Sequence, residues 1–153
     1  WAVIVGINNY DDGATGNLCG CVSDALLMYD YLTVDLGVPQ SHISLLLSPA
    51  LSDPDISFKY GAPKRDKILN ALYDLRDNND IRTDDNIVLF FAGHGTSYKL
   101  AEPNIEAICP MDRNTSQLSS DGDIVLDISD REINVILGEM AKKTNNITVI
   151  LDC

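Results

Sequence analysis

The sequence predicts an α/β fold in which a mainly parallel, twisted sheet is flanked by helices on both faces. Short apolar segments of strand character alternate with amphipathic segments of helical periodicity, and no repeat or low-complexity tract interrupts them. This alternation is typical of strands joined by helical crossovers, which make neighbouring strands parallel. At 153 residues and 16.7 kDa the chain is long enough for one domain and too short for two ordinary ones.

Four apolar segments are the predicted main strands: residues 1–7, 42–47, 86–91 and 147–151. The first is ended by the turn-forming pair Asn8-Asn9. A shorter strand, 106–109, stops at Pro110, because proline cannot donate a hydrogen bond to a sheet. Residues 48–62 and 113–127 are predicted loops.

Three helices are predicted between these strands. The first covers residues 21–36 and carries one apolar stripe. The second covers about 63–76 and begins with a proline, a favoured first-turn residue. The third follows Ser129, whose spacing to Glu132 is that of a capping box, and extends to the lysines at 142–143, where the helix dipole favours cations.

The charge balance excludes some classes of partner. With 11 basic and 23 acidic side chains the formal net charge is −12. The chain therefore lacks the clustered Lys and Arg that bind a phosphate backbone, and we expect no nucleic-acid partner. No apolar run approaches the roughly 20 residues of a membrane span, so no membrane association is expected.

Cysteine content and the chain ends lead to two further expectations. Four cysteines are too few for a disulfide scaffold and no secretion signal opens the chain, so a reduced, cytoplasmic location is expected. The chain begins at Trp1 and stops at Cys153, in both cases inside an apolar strand-like run. We therefore expect it to be a piece of a longer protein.

Two of the predicted strand ends carry reactive residues. Gly93-His94-Gly95 follows the third main strand and Asp152-Cys153 ends the fourth. If these strands are neighbours, their ends lie ~5–10 Å apart, and an imidazole would then face the region of a thiol that needs a base. His42 begins a strand at the opposite edge, so His94 is the candidate base. The alternative is a glycine-rich turn with an incidental histidine.

Six short segments carry a family pattern in chain order. They are residues 5–8 (Val-Gly-Ile-Asn), 18–25 (Leu-Cys-Gly-Cys-Val-Ser-Asp-Ala), 90–95 (Phe-Phe-Ala-Gly-His-Gly), 108–112 (Ile-Cys-Pro-Met-Asp), 128–132 (Ile-Ser-Asp-Arg-Glu) and 147–153 (Ile-Thr-Val-Ile-Leu-Asp-Cys). Together they resemble the caspase-like cysteine peptidases, specifically metacaspases and related fungal caspase-domain proteins. The resemblance covers essentially the whole chain.

The resemblance implies a caspase-like sandwich, of which residues 1–153 form the N-terminal (large-subunit) portion, truncated after the fourth main strand. It implies a cysteine endopeptidase, active in proteolysis and programmed cell death, with His94 as general base. The family motif is Asp-x-Cys-His-Ser-Gly. Aligned on Asp152, Cys153 occupies the x position, so the nucleophile is expected at the next position, which this sequence does not contain. Cys153 is the nucleophile only if the register slips by one.

Asp24 and Asp152 match the two acids that line the metacaspase pocket for the side chain before the cleaved bond. Carboxylates in a partly desolvated pocket favour a cation, so Arg or Lys is the expected side chain. The backbone N–H near Gly95 is expected to help hold the oxyanion. The alternative role for Asp24 is a first-turn helix acid. For Asp152, an unpartnered carboxylate at a buried strand end would be costly, which favours a binding role.

No organic cofactor is implied, and the metal candidates are few. Cys19 and Cys21 form a Cys-x-Cys without the further ligands of a zinc site. Many metacaspases bind calcium, but residues 98–103 replace the acid-rich loop that follows their histidine, which argues against calcium dependence here. The candidate calcium ligands are Asp121, Asp123 and Asp130.

Expected partners are polypeptides with Arg or Lys before the cleaved bond, and the missing C-terminal small-subunit portion. Without that portion the last strand is an apolar edge that is prone to pair with other chains. One alternative function is a non-catalytic caspase-fold scaffold, which the residue after Cys153 would distinguish. Another is a response-regulator-like or nucleotide-binding domain, but the chain lacks the phosphate-loop glycines and lysine.

Overall fold

Strands and helices alternate through most of the chain. The computed structural model describes residues 1–52, 57–99, 104–114 and 124–153. The described elements are, in chain order, β1 (Ala2–Ile7), α1 (Cys21–Asp30), β2 (Ile43–Ser48), α2 (Arg65–Asp77), β3 (Ile87–Ala92), β4 (Gly95–Tyr98), β5 (Ile105–Ile108), β6 (Ile128–Ser129), α3 (Asp130–Met140) and β7 (Ile147–Asp152). Within this described part, no helix has the length and apolar character needed to cross a membrane.

The central sheet has the strand order β2-β1-β3-β7, and every neighbouring pair is parallel. All six residues of β1 are buried, because this strand has a neighbour on each side and helices over both faces. Among the described strands β7 pairs with β3 alone. Its residues Val149 and Leu151 are 39% and 52% exposed.

Side chains of β1 alternate between two cores, one on each face of the sheet. Val3 and Val5 pack in the core that α2 and α3 cover, with residues such as Leu72. Ile4 packs in the core that α1 covers, with residues such as Ala25. The predicted α/β class, with helices on both faces of a mainly parallel sheet, is therefore confirmed.

A second sheet, which the sequence pattern does not predict, is formed by β4, β5 and β6 and is antiparallel. The pattern predicts no strand directly after His94, and it predicts a loop that runs up to residue 127. β4 consists of Gly-Thr-Ser-Tyr, which is too short and too polar to indicate a strand. It becomes one because each of its four residues pairs with a residue of β5.

Two helix ends also differ from the prediction. α1 continues beyond its last α-helical residue as one π-helical turn, Tyr31–Asp35, so the predicted helix changes type near its end. α3 ends at Met140, so Lys142 and Lys143 follow the helix and do not occupy its last turn. Lys143 instead donates to the carbonyl of Asn78, just after α2, at 2.7 Å. The predicted placement of both lysines in the last turn of α3 is therefore wrong.

Candidate active site

The crevice at the carboxyl end of the central sheet holds the candidate reactive residues. His94 lies two residues after β3, and Cys153 directly follows β7. The two strand ends are adjacent, since Ala92 pairs with Asp152 and the N–H of Gly93 donates to the carbonyl of Asp152 at 3.1 Å. The condition on which His94 would face the region of the thiol, that these two strands are neighbours, is therefore met.

Hydrogen bonds hold His94 through both its backbone and its ring. The backbone N–H donates to the hydroxyl oxygen of Tyr10 at 2.7 Å, and the ring Nε2 lies 2.8 Å from the carbonyl oxygen of Gly16. Because a carbonyl only accepts, Nε2 carries a proton in this arrangement, and Nδ1 is the ring position that can take another. An imidazole held in one tautomer is suited to general base catalysis.

Neighbouring atoms leave little room for a side chain at either of the two glycines beside this histidine. A Cβ on Gly93 would lie 2.9 Å from both the Phe91 ring and the Tyr10 hydroxyl, and a Cβ on Gly95 would lie 3.1 Å from Cys153 Sγ. Neither glycine is among the described ones with positive φ. Close neighbours, rather than a positive φ, therefore disfavour a side chain at both positions.

Cys153 and His94 line different cavities, which meet at Gly95. Cys153 is exposed and lines a largely apolar groove of about 810 Å³ between the second sheet, α3 and β7. His94 lines a smaller cavity of about 290 Å³, which also contains Arg113. Gly95 and Thr96 border both cavities. Gly95 therefore lies between the candidate base and the end of β7.

Asp24 and Asp152 come together around Cys21. Burial raises the pKa of the Cys21 thiol, and the Asp24 and Asp152 carboxylates raise it further, because nearby negative charge disfavours a thiolate. Asp24 is half-buried in the first turn of α1, whereas Asp152 is exposed. The premise that Asp152 is buried is therefore wrong, since among the described strands β7 lies at the edge of its sheet.

Sequence reasoning does not identify Tyr10, Gly16 or Arg113 as site residues. Tyr10 holds the backbone N–H of His94, Gly16 holds its imidazole, and Arg113 lines its cavity. The one indication in the sequence is that the spacing of Asp12 and Thr15 is compatible with a turn. Aspartate side chains often accept from backbone N–H groups two or three residues later, as Asp12 does here. The position of Arg113 depends on tertiary contacts and leaves no local pattern.

The described residues contain no group of three or more His, Cys, Asp or Glu side chains that could hold a metal ion. Cys19 is exposed and Cys21 is half-buried. Asp130 is exposed in the first turn of α3, where its charge complements the helix dipole. The other two candidate calcium ligands, Asp121 and Asp123, lie outside the described residues.

Comparisons with known proteins agree with this fold. A family model described as "Metacaspase, peptidase C14 domain" matches residues 1–153. Metacaspase-3 of Arabidopsis thaliana is 32% identical over 141 residues, which are 89% of this chain and 34% of that protein. The crystal structure of protein GSU0716 from Geobacter sulfurreducens has a TM-score of 0.63 at 19% identity, over 98% of this chain and 47% of that one. The chain thus spans about a third of the first protein and about half of the second.

Proposed function

The chain belongs to the metacaspase family, of the peptidase C14 type, and we propose that it is the N-terminal part of the catalytic domain of a cysteine endopeptidase. The observation that carries this proposal is the placement of His94. Its Nε2 is held by the Gly16 carbonyl at 2.8 Å, and it follows β3 beside the end of β7, where the family pattern expects the thiol. A base in that position favours the thiolate, which is the nucleophile.

Each proton of the proposed reaction has a donor and an acceptor. Nδ1 of His94 takes the thiol proton, and the thiolate attacks the scissile carbonyl carbon. Backbone N–H groups at Gly95 and at the nucleophile hold the resulting oxyanion. The imidazolium then donates its proton to the leaving amine as the C–N bond breaks, which leaves a thioacyl enzyme. Water attacks that carbonyl, gives its proton to His94, and releases the carboxylic acid product and the thiol.

We place the nucleophile at the position after Cys153. Side chains alternate between the two faces of a strand, and Cys153 shares its face of β7 with Val149 and Leu151, which line the apolar groove against α3. The following position shares its face with Asp152. A thiol there is on the same side as the two carboxylates that meet around Cys21.

Arg or Lys is the side chain that we propose before the cleaved bond. Asp24 and Asp152 both lie within electrostatic reach of one thiol, that of Cys21. Neither carboxylate forms a salt bridge within the described part of the chain. A substrate guanidinium or ammonium group would supply the missing positive charge, whereas an acidic side chain would be repelled.

We further propose that the groove between α3 and β7 binds the C-terminal, small-subunit portion of the same fold. The groove is lined by apolar side chains such as Leu137, Val149 and Leu151. An apolar strand with an unpaired edge requires a cover. Because the chain spans 34% of the Arabidopsis relative, a parent of similar length has enough further chain for this role.

Some features of the proposal rest on the family resemblance and on composition. They are a cytoplasmic location, a role in programmed cell death, and catalysis without an organic cofactor. Calcium binding stays a prediction for Asp121, Asp123 and Asp130. The sequence after the histidine, which lacks the acid-rich loop, argues against it.

Peptide hydrolysis by the parent protein tests the proposal. Fluorogenic peptides with Arg, Lys or Asp before the reporter group are compared for wild type, His94→Ala and His42→Ala. We expect cleavage after Arg and Lys only, and a fall in kcat/KM of at least about 100-fold for His94→Ala. His42→Ala is the matched control, because its ring stacks on Trp1 with centroids 3.8 Å apart and lies before β2, at the opposite edge of the sheet.

Further variants locate the nucleophile and the specificity pocket. Activity that survives Cys153→Ala assigns the thiol to the following residue, and loss of activity assigns it to Cys153. Asp24→Asn and Asp152→Asn are expected to raise KM for arginyl peptides. Full activity of His94→Ala shows that the proposal is wrong, and a folded parent that cleaves none of the peptides supports the scaffold function.

A further inference from the structure

We propose that Arg113 is a positioning residue for His94 and that it acts through the segment 12–16. This proposal rests on the proposed function, because it concerns the residue assigned there as the general base. Arg113 lines the same cavity as His94. Its guanidinium binds the segment whose last residue, Gly16, holds the imidazole.

Asp127 fixes the guanidinium of Arg113 in a single orientation. Nε donates to Asp127 Oδ1 and one terminal nitrogen donates to Oδ2, both at 2.8 Å, so the pair is bidentate. The side chains of Arg113 and Asp127 are only 16% and 1% exposed. The Tyr98 hydroxyl on β4 donates to the same carboxylate. The ion pair therefore joins Arg113 firmly to the second sheet.

The other terminal nitrogen of Arg113 holds the segment 12–16. It donates to Thr15 Oγ1 at 2.8 Å and lies 3.9 Å from Asp12 Oδ2. Asp12 closes the turn from inside, since its carboxylate accepts from the N–H of Ala14 at 3.1 Å, from the N–H of Thr15 at 2.8 Å and from the Thr15 hydroxyl at 2.6 Å. The next residue along the chain is Gly16.

Within the described part of the chain, hydrogen bonds between backbone groups anchor the loop that contains residues 12–16 at its two ends. The N–H of Asp11 donates to Met111 and the N–H of Leu18 donates to Asn8, both at 2.8 Å. Between these anchors the described contacts to the rest of the fold include the bond from Arg113 to Thr15. Removal of the guanidinium is therefore expected to free the middle of the loop, and with it the Gly16 carbonyl, while the ends stay in place.

Arg113 and Asp12 keep their charges over the pH range in which a peptidase works. Hydrogen bonding to Asp127 raises the pKa of Arg113. Burial raises the pKa of Asp12, but hydrogen bonds from Thr15 and Ala14 and the Arg113 charge outweigh it, so the pKa of Asp12 is lowered overall. Arg113 and Asp12 thus hold the segment 12–16 in place while His94 gains and loses its proton.

The test is nitrogen-15 NMR of the histidine rings in the parent protein, where the signals lost in His94→Ala assign the His94 ring and those lost in His42→Ala assign the His42 ring. In wild type we expect the neutral His94 ring as the Nε2–H tautomer alone, with slow exchange of that proton. In Arg113→Met we expect a mixture of tautomers and faster exchange. Arg65→Met is the matched control, since Arg65 forms another partly buried ion pair, with Glu132 at 2.5 Å between α2 and α3. The His42 signals are expected to be the same in all three proteins.

Thr15→Val is the second variant, in case Arg113→Met does not fold. It removes the hydroxyl that accepts from Arg113 and keeps the ion pair with Asp127, and it is expected to change the His94 tautomer in the same direction. Unchanged His94 signals in a folded Arg113→Met or Thr15→Val protein overturn the proposal, as does an equal change in Arg65→Met. In the parent enzyme we expect Arg113→Met to lower kcat by up to about 100-fold with KM nearly unchanged. The NMR result does not need activity, so an inactive parent would contradict the proposed function alone.

Discussion

Two residues of the segment between β1 and α1 hold His94, one through its backbone and one through its ring. Tyr10 accepts its N–H and Gly16 accepts from its Nε2. Burial raises the pKa of Tyr10 well above its ordinary value, so the phenol keeps its proton wherever a peptidase works. The backbone of His94 is therefore held by a group that does not titrate together with the imidazole.

Gly93→Ala is expected to destabilise the fold by about 1–3 kcal/mol, because the new methyl group would be 2.9 Å from both the Phe91 ring and the Tyr10 hydroxyl. Urea unfolding measures this difference. Gly138→Ala on α3 is the control, since no atom lies within 4 Å of its added Cβ. It is expected to stabilise the fold by about 0.5–1 kcal/mol through helix propensity. Equal stability of Gly93→Ala and wild type would contradict the packing described at this residue.

Cys109 is expected to make the fold sensitive to alkaline pH. Burial and then the Asp127 carboxylate raise the pKa of its thiol from 9.0 to about 12. Between pH 9.0 and about pH 12 the Cys109 thiol has lost its proton in the unfolded chain and keeps it in the folded chain. The free energy of unfolding therefore falls as pH rises, by up to about 1.4 kcal/mol per pH unit from this group.

Urea unfolding at pH 8 to 10.5 measures this slope in wild type, Cys109→Ala and Cys19→Ala. Cys109→Ala is expected to show a shallower decline above pH 9, since it lacks the thiol that titrates. Cys19 is exposed and serves as the control, whose replacement leaves the slope as in wild type. Identical slopes in all three proteins would show that Cys109 does not keep its proton in the folded state.

At the scale of elements, the start of α3 is determined by local sequence. Ser129 accepts from the backbone N–H of Glu132, and the Glu132 side chain accepts from the backbone N–H of Ser129, which confirms the predicted capping box. Glu132 also pairs with Arg65 at 2.5 Å, which ties the start of α3 to the start of α2. One residue thus caps its own helix and positions the neighbouring one.

Ser129→Ala is therefore expected to lower the free energy of unfolding by about 1 kcal/mol. Urea unfolding again provides the measurement. Ser23→Ala on α1 is the matched substitution at an exposed helical serine, for which we expect a change within about 0.5 kcal/mol. A larger loss for Ser23→Ala than for Ser129→Ala would contradict the role of the capping box.

At the scale of the whole molecule, the strands of the central sheet differ sharply in how much of their apolar side chains is exposed. β1 is buried along its whole length, whereas Val149, Ile150 and Leu151 on β7 are 39%, 37% and 52% exposed. Such an apolar edge can pair with another chain through its free backbone groups. The apolar groove between α3 and β7 lies beside this edge and can also contact another chain.

We expect the chain to self-associate at micromolar concentration and Val149→Lys to weaken that association, because a charge at a strand edge opposes pairing. Sedimentation velocity over a concentration series measures it. Val135→Lys places the same charge on the exposed surface of α3 and is expected to leave association unchanged. A concentration-independent wild-type monomer would show that this edge does not pair.

Local sequence patterns were sufficient to predict the parallel strands, the helices and the position of His94 at a strand end. Strand and helix periodicity depends on which residues are apolar, and one glycine-flanked histidine at a strand end is visible in the chain itself. The second sheet was missed because β4 has no apolar pattern and exists through its pairing with β5. The burial of Asp152 was predicted wrongly because the neighbours of a strand are not written in its own sequence.

The sequence by itself determined the fold class and the family, since both depend on the order and polarity of short segments. Only the tertiary structure decided what holds the histidine. Gly16 and Arg113 are separated from His94 along the chain and carry no motif that links them to it. They reach it because the sheets and the segment 12–16 fold against one another, and hydrogen bonds form between whichever donors and acceptors that folding brings within about 3 Å.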